Sequence, residues 1–425
     1  EGELTIKDVQ DFIQLHEMND KPRFKKLYDY YIGKHDILKR KYSPTKPQAR
    51  IVHNFPSYIT NQSTAYFMGT PVSYTSEDEE ALAIVQRILD YNDEADMNAS
   101  HAEQMSIYGI SYELLYINKE NEVDTRFAVI SPEEMIVIYD YELEPNIIAA
   151  IRYYYDENNN MKVEHYDSKR ITYLSGDKYS LSIDSSVEHF FKDVPVSVFV
   201  NNNTAMGDFE PVISLIDEYN ILNSDTANDF EYFTDAYLFL SGATIDDEEA
   251  LNMKENRIIN IDDPNAKAAF LTKNIQDEAL ENYKNRIVND IHKFSGVPNL
   301  TDEAFAGNLS GVAIKYKILG LENQASMKER KFKKGLQRRY ELLFNMFYTR
   351  GILASADYLT IQPIFKRSLP PNILEEAEMA VKLQDIVSHE TLLSELSFVE
   401  DVVLEQEQIE REKQGSVTEE VIPEQ

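Results

Sequence analysis

Between residues 312 and 352 the chain keeps helical periodicity without a single proline. About forty residues at roughly 1.5 Å of rise each make a rod of about 60 Å, far longer than an ordinary globular helix. Such a rod cannot bury its whole circumference inside one small domain, so it either coils with a partner or crosses several domains of a larger assembly. A coiled coil needs a sustained a/d heptad flanked by opposite charges. Neither is present, and the crossing reading follows. Gly320 and Gly335 fall inside the run and are candidate kinks.

Ahead of the rod, residues 275–294 predict a second helix, with Leu280, Tyr283, Ile287, Ile291 and Phe294 on one narrow apolar stripe. Ser295-Gly296-Val297-Pro298 ends it. The connection at 299–311 places Asn299, Asp302, Glu303, Gly307 and Asn308 around Leu300, Phe305 and Leu309, the composition of an exposed polar loop.

The remainder predicts an α+β chain. Two short amphipathic helices are expected at 4–18 and 23–32, parted by Asn19-Asp20-Lys21-Pro22, with further helices at 56–67 and 78–91. The arm at 34–50 is basic (Lys34, Lys39, Arg40, Lys41, Lys46, Arg50); it is either a solvated loop offsetting nearby acid or a contact for phosphate or an acidic surface. From Ser106 the period shortens toward two. Segments 110–117, 125–130, 135–139, 147–155, 161–166 and 171–174 predict a meandering antiparallel sheet that ends its domain near residue 203. Its tyrosines suit half-buried strands better than a base-stacking platform, because no basic residues interleave with them. Helix is expected again over 208–240. An insertion at 242–274 follows, with a helix at 247–254 and strands at 257–261 and 268–271. A single strand at 358–366 would return to complete the first sheet, and acidic helices are expected at 373–387, 390–396 and 400–413 before a tail-like end.

Composition decides which functions to discard. With 425 residues, 43% of them apolar, the chain can build more than one core. Its formal charge of -32 argues against a clamp on nucleic acid, which needs Lys and Arg to displace phosphate counterions. No cysteine is present, so thiolate nucleophiles and cysteine-held metals are excluded. There is no phosphate-cradling Gly-x-x-x-x-Gly-Lys-Ser/Thr run, and the eight histidines are scattered without metal-ligand spacing. Asp262-Asp263-Pro264-Asn265 lacks the alternating ligands of a calcium loop and suits a turn. No catalytic residue, cofactor or metal is therefore expected, nor a membrane span or secretory leader. One local pattern opposes the acidity: Lys328, Arg330, Lys331, Lys333, Lys334, Arg338 and Arg339 cluster on the rod with Glu329 almost the only acid among them. In so acidic a chain this favours pairing with acid on a neighbouring subunit, or with DNA phosphate, over a merely solvated face.

Several stretches, in order along the chain, resemble the portal proteins of tailed bacteriophages, of the type found in long-tailed phages of Gram-positive bacteria. They are Tyr30-Tyr31-Ile32-Gly33-Lys34-His35, Arg50-Ile51-Val52-His53-Asn54, Tyr66-Phe67-Met68-Gly69-Thr70-Pro71-Val72, Tyr108-Gly109-Ile110-Ser111-Tyr112-Glu113-Leu114-Leu115-Tyr116 and Ser310-Gly311-Val312-Ala313-Ile314-Lys315-Tyr316-Lys317. The resemblance implies a ring of about twelve subunits around a channel. It also implies a division of the chain: a wing at 1–203 with a strand at 353–370 returning to it, stem helices at 204–241 and 275–297, and a clip at 242–274. A tunnel loop at 298–311 would put Asn299, Asp302, Glu303 and Asn308 at the channel. The spine helix would span 312–352, the crown 371–413 and a tail 414–425. Implied partners are the terminase large subunit, head-completion and adaptor proteins, major capsid and scaffolding proteins, and double-stranded DNA in transit. The implied location is one vertex of the virion, after assembly in the host cytoplasm. The rival reading is a structural or adaptor protein of a viral particle without a DNA channel.

Overall fold

The computed structural model describes residues 4–41, 47–117, 125–234, 237–241, 267–271, 277–301, 311–368, 373–396, 398–399 and 402–418. The chain divides into two compact units, one of residues 1–302 with 317–367 and the other of 303–316 with 368–425.

In the first unit, α1 (Ile6–Tyr31) opens on a capping box in which Thr5 and Asp8 exchange side-chain and backbone bonds. The expected break at Asn19–Pro22 does not occur; the helix continues through Pro22. An interior proline costs about 3 kcal/mol. Val9, Ile13 and His16 are buried before it, and Phe24, Leu27 and Tyr30 after it. Burying such side chains contributes about 2 kcal/mol each, which outweighs the missing backbone bond.

Strands β1 (Ser73–Thr75), β2 (Ile110–Ile117), β3 (Thr125–Ile130), β4 (Met135–Tyr139), β5 (Ile147–Tyr155), β6 (Met161–Tyr166), β7 (Arg170–Asp177), β8 (Ser180–Glu188) and β9 (Val196–Val200) follow in chain order; α2 (Phe55–Met68) precedes β1, and α3 (Glu79–Tyr91) and α4 (Glu94–Tyr108) lie between β1 and β2. The single expected meander is two sheets. β4 to β8 form a five-stranded antiparallel meander, while β2 lies between β3 and β9 in a separate three-stranded sheet. Alternation explains how the two stack. Ile151, Tyr153, Met161 and Val163 face Val9 and Ile13 of α1. Ala150 and Tyr166 face the other way and share a core with Tyr112 and Leu114 of β2. Leu115, the next residue of β2, points into the main helical core.

That main core collects α2, α3, α4, β2 and the long helices. α5 (Ile213–Thr234) ends short of the expected helix, and Tyr237–Ser241 is instead strand β10, paired antiparallel with β11 (Lys267–Leu271). A short apolar run such as Tyr237-Leu238-Phe239-Leu240 fits either period, so periodicity alone does not decide it. The elements expected at 247–254 and 257–261 lie outside the described residues. α6 (Asp277–Ser295) packs beside α5.

Where one continuous helix was expected the chain has two, α7 (Gly311–Lys317), nearly all in the second unit, and α8 (Leu319–Thr349), in the first, with Ile318 between them in the chain. α8 is one helix through both Gly320 and Gly335. Gly335 serves a close approach instead of a break: a Cβ there would lie 2.4 Å from the ring of Phe199 on β9. The returning strand, β12 (Gln362–Ile364), pairs with β1 and joins neither larger sheet.

In the second unit, α9 (Ile373–Leu383) is followed by α10 (His389–Ser394), capped by Ser388, and α11 (Val402–Thr418). α10 packs on α11, with Leu393 and Val399 buried. Helix thus continues through 414–418, where a tail was expected, as the last turns of a helix propagated from the strong helix formers Glu410, Arg411, Glu412 and Lys413.

Candidate functional site: a buried clamp on the long helix

Lys328 and Arg339 are eleven residues apart, close to three helical turns, so both point from the same face of α8 into the protein. Arg339 is 0% exposed. Its Nε donates to Glu113 Oε1 at 2.8 Å and its Nη2 to Glu113 Oε2 at 2.6 Å, a bidentate pair. Nη1 reaches Glu94 Oε1 at 2.9 Å and Nη2 reaches Asn98 Oδ1 at 3.0 Å. The rings of Phe127 and Phe199 lie 5.0 and 5.7 Å from the guanidinium carbon. Around this centre, Asn98 and Tyr74 donate to Glu94. His101 holds Ser111 Oγ at 2.8 Å and Glu113 Oε2 at 3.1 Å while its ring stacks on Phe199.

Burial pulls the Glu113 carboxyl upward, but Arg339 and His101 outweigh it and hold the group at about 2. Burial pushes His101 below the ordinary imidazole value, so the ring is neutral at pH 7. One guanidinium then faces two carboxylates, and no charge in the cluster is left without a polar partner.

Three turns earlier, Lys328 repeats the device on a smaller scale. Its ammonium pairs with buried Asp208 and donates to Ser63 Oγ of α2 at 2.6 Å. Asp208 also accepts from Ser106 Oγ at 2.6 Å and Asn201 Nδ2 at 2.9 Å. Burial again works against the ionised carboxyl, and Lys328 together with the bonds from Asn201 and Ser106 more than compensates, lowering its pKa. The two clusters tie α8 to α2, α4 and β2.

Of the seven cations expected to meet a neighbour or DNA, Lys328 and Arg339 are therefore spent inside the chain. Arg338 bonds Asp193 and Glu341, each at 2.8 Å, and the Val194 carbonyl at 3.1 Å. Lys333 donates to Gln362 Oε1 at 3.0 Å. Arg330, Lys331 and Lys334 have no ion-pair partner among the described residues. The sequence cluster mixes two populations because α8 carries charge on both its buried and its exposed face.

Asn299 lies at the loop entrance, where its Oδ1 accepts from Thr301 N and Oγ1 at 3.1 and 2.7 Å. Asp302, Glu303 and Asn308 lie outside the described residues. A cavity of about 360 Å³ opens beside Asn299, walled by His53, Phe55, Tyr58, Tyr219 and His292. Among the described residues no group of three metal-ligating side chains exists, and no helix is long and apolar enough to cross a membrane.

A second polar device escaped sequence reasoning. Along α5, buried Asn220, Ser224 and Asn228 accept from the backbone N–H groups of His53, Ile51 and Ala49 at 2.8, 2.9 and 2.8 Å. Every fourth helix residue advances about 6 Å and every second extended residue about 6.6 Å. The two repeats match closely enough for three rungs. The end of the expected basic arm is thus laced to α5 through its backbone, and Arg40 pairs with Asp225 at 2.8 Å. The signal was available as the Asn-x₃-Ser-x₃-Asn spacing, but it means nothing until the strap opposite it is known.

The buried polar groups around Arg339 and Lys328 lock one long helix to its surroundings, a structural role. The sequence says of which structure. Over residues 10–419 it matches the family described as phage portal protein, SPP1 Gp6-like, and the chain belongs to that family. It is 24% identical to the portal protein of Bacillus phage SPP1, across 95% of this chain and 86% of that one. It is 25% identical to the portal protein of Clostridium phage phiCD119, across 88% of each. Proteins of this family are structural components of the virion at the head–tail junction.

Proposed function

We propose that copies of this chain close into a ring of about twelve around a channel at one capsid vertex. Through it the terminase motor packages double-stranded DNA, which later leaves by the same route. The ring also nucleates head assembly with capsid and scaffolding proteins and holds the head-completion proteins. In this reading residues 1–203 are the wing, joined by 353–370. The stem is 204–241 with 275–297, the clip 242–274, the tunnel loop 298–311, the spine 312–352 and the crown 371–413.

The observation that carries the proposal is the family match from residue 10 to 419. The clamp supports it, because a subunit that transmits the force of a packaging motor needs its longest helix fixed to the body. Asn299, Asp302, Glu303 and Asn308 face the channel in this scheme. Carboxylates there repel phosphate and let the duplex slide.

Native mass measurement and negative-stain images test the ring: closed annuli with a hole are expected, and filaments or monomers would favour a channel-less adaptor. In a packaging reaction, Asp302→Lys with Glu303→Lys should slow translocation while leaving the particle mass unchanged. Unchanged packaging rates would remove the loop from the channel.

A further inference from the structure

The exposed stripe of α8 runs through Asn323, Met327, Arg330 and Lys334. Lys331 and Lys333 lie on opposite flanks of it, about 160° apart around the axis. On the Lys331 flank, Asn202, Asn203, Met327, Arg330 and Lys331 wall a pocket of about 210 Å³, room for one or two side chains. Met327 is 55% exposed there. The Lys333 flank is different. Lys333 bonds Gln362, which is the register partner of Thr75, and the chain then runs directly into Glu77-Asp78-Glu79-Glu80, all exposed. Asp78 caps α3 through the Ala81 N–H; Glu77, Glu79 and Glu80 have no ion-pair partner among the described residues. Among the described residues, α8 therefore has cations without ion-pair partners beside a pocket on one flank, and its other flank is tied through Lys333 and Gln362 to the strand that leads into the acidic turn at the start of α3.

We infer that the acidic turn at 77–80 of one copy docks on the Arg330–Lys331–Lys334 flank of the next, with a side chain of the turn entering the Asn202–Asn203 pocket. The inference rests on the ring proposed above and names a contact within it. Complementary patches on opposite flanks make a head-to-tail contact, the kind that closes rings instead of two-fold dimers. An apolar Met327 and two amides in the pocket wall suit a peptide better than duplex phosphate, which calls for cations on an open surface.

The chain has no cysteine, so the contact can be trapped. In the full chain carrying both Asn203→Cys and Glu80→Cys, mild oxidation should yield a ladder of covalent multimers. A mixture of the two single variants should stop at dimers. Adding Arg330→Glu and Lys334→Glu should slow the ladder about tenfold, and Glu77→Lys with Glu79→Lys should restore it. No ladder from a preparation that still forms annuli would overturn the docking and leave the ring standing. A ladder without annuli would keep the docking and sink the ring; neither would sink both. If the Arg330 and Lys334 reversals change duplex retention and not the ladder, the cations face DNA and the docking is wrong.

Discussion

Arg339 is the residue on which the clamp turns, since removing it strands two carboxylates in the core. Glu94 is 6% exposed and Glu113 0%. Replacing one partner of a buried, hydrogen-bonded ion pair costs about 3–5 kcal/mol, more than the pair contributes relative to a well-packed apolar core. Arg339→Met should therefore lower the thermal midpoint by several degrees, and the triple change with Glu94→Gln and Glu113→Gln should recover part of the loss. A midpoint equal to that of the unaltered chain would show that the carboxylates have reached water. Buried histidines, together with Glu113, set a pH dependence. His16, His35, His101 and His189 are all pushed below the ordinary value by burial. The unfolded chain takes up protons that the folded one refuses, so stability is full above about pH 6.5 and falls as pH drops below it. Glu113, held at about 2, adds a second loss as pH falls from its ordinary range near 4.5 toward 2. Calorimetry from pH 8 to 3 should show a midpoint that declines steadily below 6.5, with the steepest part below 4.5 weakened in Glu113→Gln. A flat profile down to pH 5 would mean the imidazoles are protonated in the fold.

At the level of elements, what the sequence disclosed depended on whether an inner face is apolar. Strands β2 to β6 were legible because Ile, Val and Tyr alternate and turn residues bound them, as at Glu157-Asn158-Asn159-Asn160. α3 was legible from the apolar spacing of Leu82, Val85, Ile88 and Leu89, of which Val85 and Leu89 are fully buried while Ala81 takes the remaining core position. α4 gave no such stripe, because Glu94, Asn98, His101 and Ser106 are among its buried residues. Their partners, Arg339 and Asp208, lie far away in the sequence, so the clamp was invisible and two of its cations looked like surface charge. β8 was missed for the opposite reason: almost all of it is exposed and its serines carry no period. The strap on α5 offers an element-scale test. Each of Asn220→Ala, Ser224→Ala and Asn228→Ala removes one acceptor worth about 1 kcal/mol from a backbone N–H. Hydrogen exchange at His53, Ile51 and Ala49 respectively should quicken about fivefold per rung, with α8 amides unchanged. Equal acceleration throughout the protein would show that the strap has no local stability of its own.

For the whole molecule the governing quantity is charge. At -32 per chain, the proposed ring of about twelve would surround its channel with a negative field. Repulsion between that field and phosphate is strongest at low ionic strength and fades as the Debye length contracts from about 30 Å at 0.01 M to about 8 Å at 0.15 M. Proteins that grip duplex DNA behave in the opposite way, losing affinity as salt rises because bound counterions are no longer released at a gain. Arg330, Lys331 and Lys334, which have no ion-pair partner among the described residues, cannot reverse this if neighbouring carboxylates occupy them. Anisotropy measurements with a short labelled duplex should therefore find affinity weaker than the roughly 10⁻⁴–10⁻⁶ M usual for non-specific binders. Whatever retention exists should stay level or rise between about 50 and 200 mM salt. A steep fall over that interval would mean that Arg330, Lys331 and Lys334 meet phosphate, and that the passage holds its cargo electrostatically instead of letting it slide.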